Sequence, residues 1–203
     1  MQRLAPVPAT LTSAMKIHAV CLSRAVPLEV PDGRTVLSGI DKLAVQGPVA
    51  VGPLGLAGDE QADPSVHGGL AKAVYAYPVE HHPFWRTVRA QARVAPADQP
   101  LRAGVFGENL LIEGVTEDRL WIGDRLRLPG CVLAVSEPRR PCFKFDAAMG
   151  FKQAGRLMWQ SGYCGVYLAV VEAGSLAAGE PFELLPGPRE VNLRELFRAR
   201  SPA

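Results

Sequence analysis

The chain has 203 residues, 48% hydrophobic and 21% charged, enough apolar material for one globular core and too much for a disordered class. A net charge of +2 is too mild to mark a nucleic-acid polymer as partner, and no apolar run approaches the ~18 residues that cross a bilayer. Eighteen prolines and 20 glycines favour many turns between short strands over a helical bundle.

Taken in order, residues 1–14 lack periodicity and contain two prolines. Either Met15 is the true start or the preceding residues are a disordered tail. Met15 to Leu22 reads as a first strand. Asp32-Gly33 marks the turn of an early hairpin, and Leu37 to Val51 reads as short strands or extended loop. A dense stretch follows: Gly52 to Gln61 with three glycines, then His67-Gly68-Gly69. Glycine permits positive backbone angles and close approach of a ligand, but the same pattern also makes ordinary turns. Ala71 to Tyr77 reads as a strand with its tyrosines on one face, and Val79 to Ala95 as a helix after Pro78. Adjacent His81 and His82 would point about 100° apart on it, a poor metal pair. Phe106-Gly107-Glu108-Asn109 leads into an apolar strand, and Leu120 to Leu128 alternates around a Gly-Asp corner. Asp146 to Ser161 reads as a second helix closed by Gly162. Tyr163 to Val171 is an apolar strand, Gly174 to Gly179 a turn, Pro181 to Leu185 a last strand, and Val191 to Phe197 a short amphipathic helix.

The stretch that organises the rest is Cys131 to Asp146. A strand, Cys131 to Val135, turns through Pro138 and Pro141 and delivers Cys142 among Arg139, Arg140 and Lys144. A cysteine is a metal ligand or nucleophile only as thiolate, and neighbouring cations favour that form. Pro141 and the pre-proline restriction predict a stiff, non-helical ledge for the thiol. The plainer alternative is a small apolar residue closing a loop. Of the four cysteines, Cys21, Cys131, Cys142 and Cys164, none forms a C-x-x-C pair, which argues against tetrahedral zinc. No secretory signal pattern is visible, so a cytoplasmic setting with reduced thiols is the expectation.

Three motifs follow one another along the chain: L-G-L-A-G-D-E-Q-A-D-x-x-V-H-G-G from Leu54 to Gly69, G-x-F-G-E-N-L from Gly104 to Leu110, and S-E-P-R-R-P-C from Ser136 to Cys142, with W-I-G-D from Trp121 to Asp124 between the last two. Together they resemble the MOSC domain, and within it the bacterial YiiM type, from about Lys16 to Leu185. The resemblance implies a mainly β, barrel-like fold with peripheral helices (α+β), spanning residues 15–186, with a short C-terminal helical stub at 187–203. Longer proteins of that type continue into a small helical bundle.

The resemblance further implies binding of the molybdenum cofactor, a molybdopterin carrying molybdenum and a phosphate, with Cys142 as the protein ligand to the metal. It implies an oxidoreductase that reduces N-hydroxylated compounds, such as hydroxylamino-purines, to amines, with electrons from a flavoprotein reductase partner. Residue chemistry then suggests roles. Arg139 and Arg140 suit the cofactor phosphate, and Lys144 adds positive charge near the thiol. Backbone N–H groups at Gly68, Gly69 and Gly107 suit an anion. Asp59, Glu108 and Asn109 suit pterin edges, with Phe106 beside them. His67 is the candidate proton donor, supported by Tyr75 or Glu80. Small N-hydroxylated substrates are expected, without a nucleic-acid polymer or membrane, and a homodimer is the default oligomer. The competing readings are a cofactor carrier without turnover, a persulfide-handling protein, and a cysteine hydrolase.

Overall fold

The computed structural model describes residues 14–30, 32–63 and 67–201. Of the expected tail 1–14, all but Ala14 lies outside the described residues, as do Pro31 and Pro64 to Val66. Thirteen short strands are described: β1 Lys16–Leu22, β2 Val26–Glu29, β3 Thr35–Ser38, β4 Leu43–Val45, β5 Val49–Gly52, β6 Gly55–Leu56, β7 Val74–Pro78, β8 Leu110–Glu113, β9 Arg125–Arg127, β10 Val132–Pro138, β11 Val166–Glu172, β12 Gly174–Leu176 and β13 Glu183–Leu185. Four helices are described: α1 His82–Gln91, α2 Phe143–Met149, α3 Ala154–Ser161 and α4 Leu193–Ala199.

Eight strands form one sheet in the order β13-β9-β10-β11-β7-β8-β1-β4. All its pairings are antiparallel except β7 with β8, where Ala76 lies opposite Leu110. The start of β1 bonds to the segment leading into β13. Ile17 N–H donates to Glu180 O (2.9 Å), and Phe182 N–H donates to Met15 O (3.0 Å). First and last strands are thereby joined, and the sheet closes on itself as a barrel-like layer. A mainly β architecture with peripheral helices is what the motifs implied.

Strand alternation explains two cores on opposite faces of this layer. Val74 and Ala76 of β7, and Leu110 and Ile112 of β8, face one apolar cluster with Leu126, Leu133 and Leu168. Tyr75, Tyr77 and Leu111 face the other, with Trp85, Phe106, Phe145, Met149, Met158 and Phe197 under the helices. Side chains two apart share a face, so strands covered on both sides are apolar throughout, as β7 is.

Three expectations need correction. The single helix over 146–161 is two helices: Gly150 ends α2 in the left-handed region (φ 79°), and Gln153 precedes α3 at φ 74°. The turn at Gly174 to Gly179 contains β12, which pairs with β5. Only Arg125–Arg127 of the alternating stretch 120–128 is strand, because Asp124 takes the corner for other work.

That carboxylate is fully buried and accepts from Trp121 N–H (3.0 Å), Gly187 N–H (2.7 Å) and Arg189 Nη1 (3.1 Å). It fastens the segment before α4 to the barrel wall. Asp124→Ala strands two part-buried amides and the Arg189 guanidinium and is expected to cost about 3 kcal/mol in urea denaturation. A change under about 0.5 kcal/mol, the range of ordinary surface substitutions, would remove this role.

Candidate active site

One cleft gathers most of the chemistry the sequence singled out. Asp59, His67, Tyr75, Phe106, Gly107, Asn109, Arg139, Cys142 and Lys144 all line it.

Cys142 is the residue before α2, in extended geometry (φ −110°, ψ 171°), with no side-chain cap bond. It is the half-buried member of the four cysteines. The other three are buried in the cores. Burial pushes the Cys21 thiol up to about 12 and Cys131 to about 11, and holds Cys164 well above its ordinary value. They are packing residues held as thiols.

Arg139 and Arg140 separate. Extended chain turns successive side chains to opposite sides. Arg139 is 4% exposed, its guanidinium 4.7 Å from the Phe145 ring centre and 5.4 Å from that of Tyr75, with Nη1 3.2 Å from Met158 Sδ. Among the described residues no carboxylate pairs with it. A buried, permanently charged fork on a cleft without an acid partner is suited to meeting an anion. Arg140 is exposed and does not line the cleft.

The motif at 54–69 contributes a scaffold. Asp59 accepts from Ser23 N–H (2.9 Å) and Asn109 Nδ2 (2.8 Å), and pairs with Lys42, which is 5% exposed. Asn109 Oδ1 also accepts from Tyr75 N–H (3.1 Å). Asp59 and Asn109 therefore face the cleft with their polar atoms already engaged. Glu108 lies behind the wall, fully buried, accepting from Gly104 N–H (2.6 Å) and Phe106 N–H (3.0 Å). Burial pushes its carboxyl up to about 7, against those two amide bonds, which favour the ionised form. It shapes the loop instead of meeting a ligand. Gly104 is required there: at φ +87° an added Cβ would fall 2.2 Å from Lys42 O.

Gly68 and Gly69 do not line the cleft, and Gly69 (φ 85°) instead opens the single turn Leu70–Lys72. Glu80 is engaged with Gly114 N–H (2.6 Å), and Tyr75 donates its hydroxyl to Cys164 O (2.8 Å). His81 is buried against Glu117 (Nε2 to Oε2, 2.6 Å) and stacked on Tyr163, a satisfied core histidine.

His67 Nδ1 lies 3.4 Å from the Tyr167 hydroxyl. Burial, then the charges of Arg139, Lys144 and Lys72, lower its pKa to about 4. The free protein thus holds a neutral imidazole at neutral pH. Because the folded state gives up this proton more readily than the unfolded chain, His67 lowers stability as pH falls from 6.5 towards about 4, and has no such effect above that window. NMR titration of its ring protons is expected to give a midpoint near 4 in cofactor-free protein; a midpoint near 6.5 would contradict this environment.

Lys42, Ile40, Lys72 and Tyr167 also line the cleft, and sequence reading missed them. Their only signal was a lysine beside Asp41 in a stretch read as short strands or loop, and a tyrosine in an apolar strand. Among the described residues no cluster of three His, Cys, Asp or Glu side chains converges as a metal site. A metal at Cys142 must therefore bring its other ligands with it. The thiol, the unpaired buried guanidinium and the surrounding lysines fit a group combining a soft metal with an anion. No described helix is long and apolar enough to cross a membrane.

Comparison with known proteins gives the MOSC domain family profile over residues 63–183. YflK of Bacillus subtilis is 40% identical over 154 residues, 76% of this chain, and the chain spans 66% of YflK, just under two thirds. A Gibberella moniliformis protein named reductase is 33% identical over 174 residues, covering 83% of this chain and 30% of that one. The crystal structure of YiiM from Geobacillus stearothermophilus superposes with TM-score 0.70 at 30% identity, over 90% of this chain and 82% of that one.

Proposed function

This chain belongs to the MOSC domain family and is YiiM-like, and on that premise we propose that it is a molybdenum-cofactor-dependent reductase of N-hydroxylated compounds. The balanced reaction is R–NHOH + 2 e⁻ + 2 H⁺ → R–NH₂ + H₂O. One N–O bond breaks and its oxygen leaves as water. A flavoprotein reductase would be the electron source. The observation that carries the reading is the half-buried Cys142 thiol on a cleft whose buried Arg139 has no acid partner.

The cofactor, when bound, supplies a metal able to exchange two electrons and a pterin-linked phosphate that orients it. The residues of this chain hold and tune it. Cys142 offers a soft ligand of the kind that suits a metal already bound to sulfur. Arg139 presents its planar fork to the phosphate, with Lys144 and Lys72 adding positive charge. Lys42, clamped by Asp59, keeps the 38–42 loop against the cleft. His67 is the proton donor: negative charge beside it offsets Arg139, Lys144 and Lys72 and lets the imidazole take up the proton it passes on.

The test is protein made in a host that loads another molybdoenzyme, assayed for molybdenum and oxidised-pterin fluorescence per chain, then for N–O reduction with reduced viologen as donor. Stoichiometric metal with turnover supports the reading. Loaded protein without turnover on any N-hydroxylated substrate would leave a carrier, and absence of metal and pterin would overturn the cofactor site.

A further inference from the structure

Two further depressions reach Cys142, one of them sharing His67, Lys72 and Tyr167 with the cleft. One runs from Arg34 past Phe143 to Lys152, Arg156 and Trp159. The other holds Lys72, Arg140 and, again, Trp159. Both are lined by Pro141, Cys142 and Trp159, so they form one trench over the thiol, and Arg139 does not line it.

The charges in this trench do not cancel. Asp32 is paired with Arg34 (2.7 Å). Asp146 accepts from Gln153 N–H (2.9 Å) and Gly155 N–H (2.8 Å). Glu137 lies between Lys72 (3.8 Å) and Arg200 (3.9 Å). Among the described residues no carboxylate pairs with Arg140, Lys152 or Arg156, all three exposed. Trp159 lies among them, one helical turn after Arg156 and so on the same face of α3. Its ring is held by stacking on Phe197 (centroids 4.3 Å apart, planes 12°).

We propose that this trench is the substrate-binding face, and that it takes a planar base carrying a phosphate group: an N-hydroxylated nucleotide in preference to the free base. The proposal rests on the reductase reading above and specifies its substrate class. An anchored indole offers a stacking surface to a base of any sequence type. Arginine and lysine without acid partners offer charge-assisted bonds to phosphate. The cofactor takes the Arg139 side of Cys142, and the substrate takes the Arg140 side.

The test is equilibrium binding of AMP, adenosine and inorganic phosphate to the full chain purified from a cofactor-making host, with molybdenum measured on the same preparation. AMP is expected to bind at least about tenfold more tightly than adenosine or phosphate alone. The preference should shrink with added salt, since the cations are exposed. Arg140→Ala, and Lys152→Ala with Arg156→Ala, should each narrow it while leaving molybdenum content unchanged. Trp159→Leu should weaken AMP and adenosine alike. If that variant fails to fold, the surface charge variants decide alone. Equal binding of AMP and adenosine, phosphate binding as tightly as AMP, or a preference that survives the charge variants overturns the nucleotide site. Missing molybdenum with intact AMP preference would instead overturn the reading it rests on.

Discussion

Cys142→Ala is expected to abolish N–O bond reduction while leaving the fold intact. The thiol makes no cap bond to α2, is half-exposed, and stands in extended geometry that alanine adopts equally well. Its removal should shift stability by no more than about 0.5 kcal/mol, as for other surface positions. Turnover with reduced viologen should fall at least about a thousandfold: loss of residues that only support a metal ligand costs roughly 10- to 100-fold, and this change removes the proposed ligand itself. Molybdenum per chain should fall with it. Cys142→Ser keeps the size and substitutes a hard oxygen, so it should hold less metal than wild type and still fail to turn over. Full activity in the alanine variant would end the assignment of Cys142 and with it the mechanism.

Arg139→Met should separate stability from function in the opposite sense. The guanidinium is buried among Tyr75, Phe145 and Met158 without a carboxylate partner, so the free protein bears the desolvation of an interior charge that no acid neutralises. Replacing such a charge by a flexible apolar side chain of similar length is commonly neutral or stabilising. The thermal midpoint of cofactor-free protein should therefore stay level or rise. Pterin retained after gel filtration should fall at least about tenfold, since a charge-assisted, two-pronged contact is lost. Arg139→Lys, which keeps the charge without the fork, should recover part of that retention. A lower thermal midpoint in Arg139→Met with undiminished pterin would show a structural cation instead.

Much of this site was legible because its motifs carry local chemistry. The S-E-P-R-R-P-C run predicted a thiol held extended beside cations, and prolines do impose that geometry wherever they occur. The strands β1, β7, β8 and β11 and the hairpin of β2 with β3 followed from apolar runs and from Asp32-Gly33. Other positions were misread because a side chain's partner lies far along the chain. Glu108 looked like a ligand contact by its place beside Gly107, yet its oxygens turn back to Gly104 and Phe106. Lys42 drew no attention because Asp59, 17 residues on, is what makes it part of the site. The break between α2 and α3 was missed because apolar residues continue at helical spacing through Gly150.

By itself, then, the sequence determined the family, the mainly β architecture and the cysteine at the centre, since each depends on residue types and their order. Only the tertiary structure decided which side of Cys142 each neighbour faces. Arg139 and Arg140 are consecutive, chemically identical and indistinguishable in one dimension. Extended backbone sends one inward against Tyr75 and Phe145 and the other outward towards Trp159, and burial leaves the first a charge without an acid partner while the second stays in water.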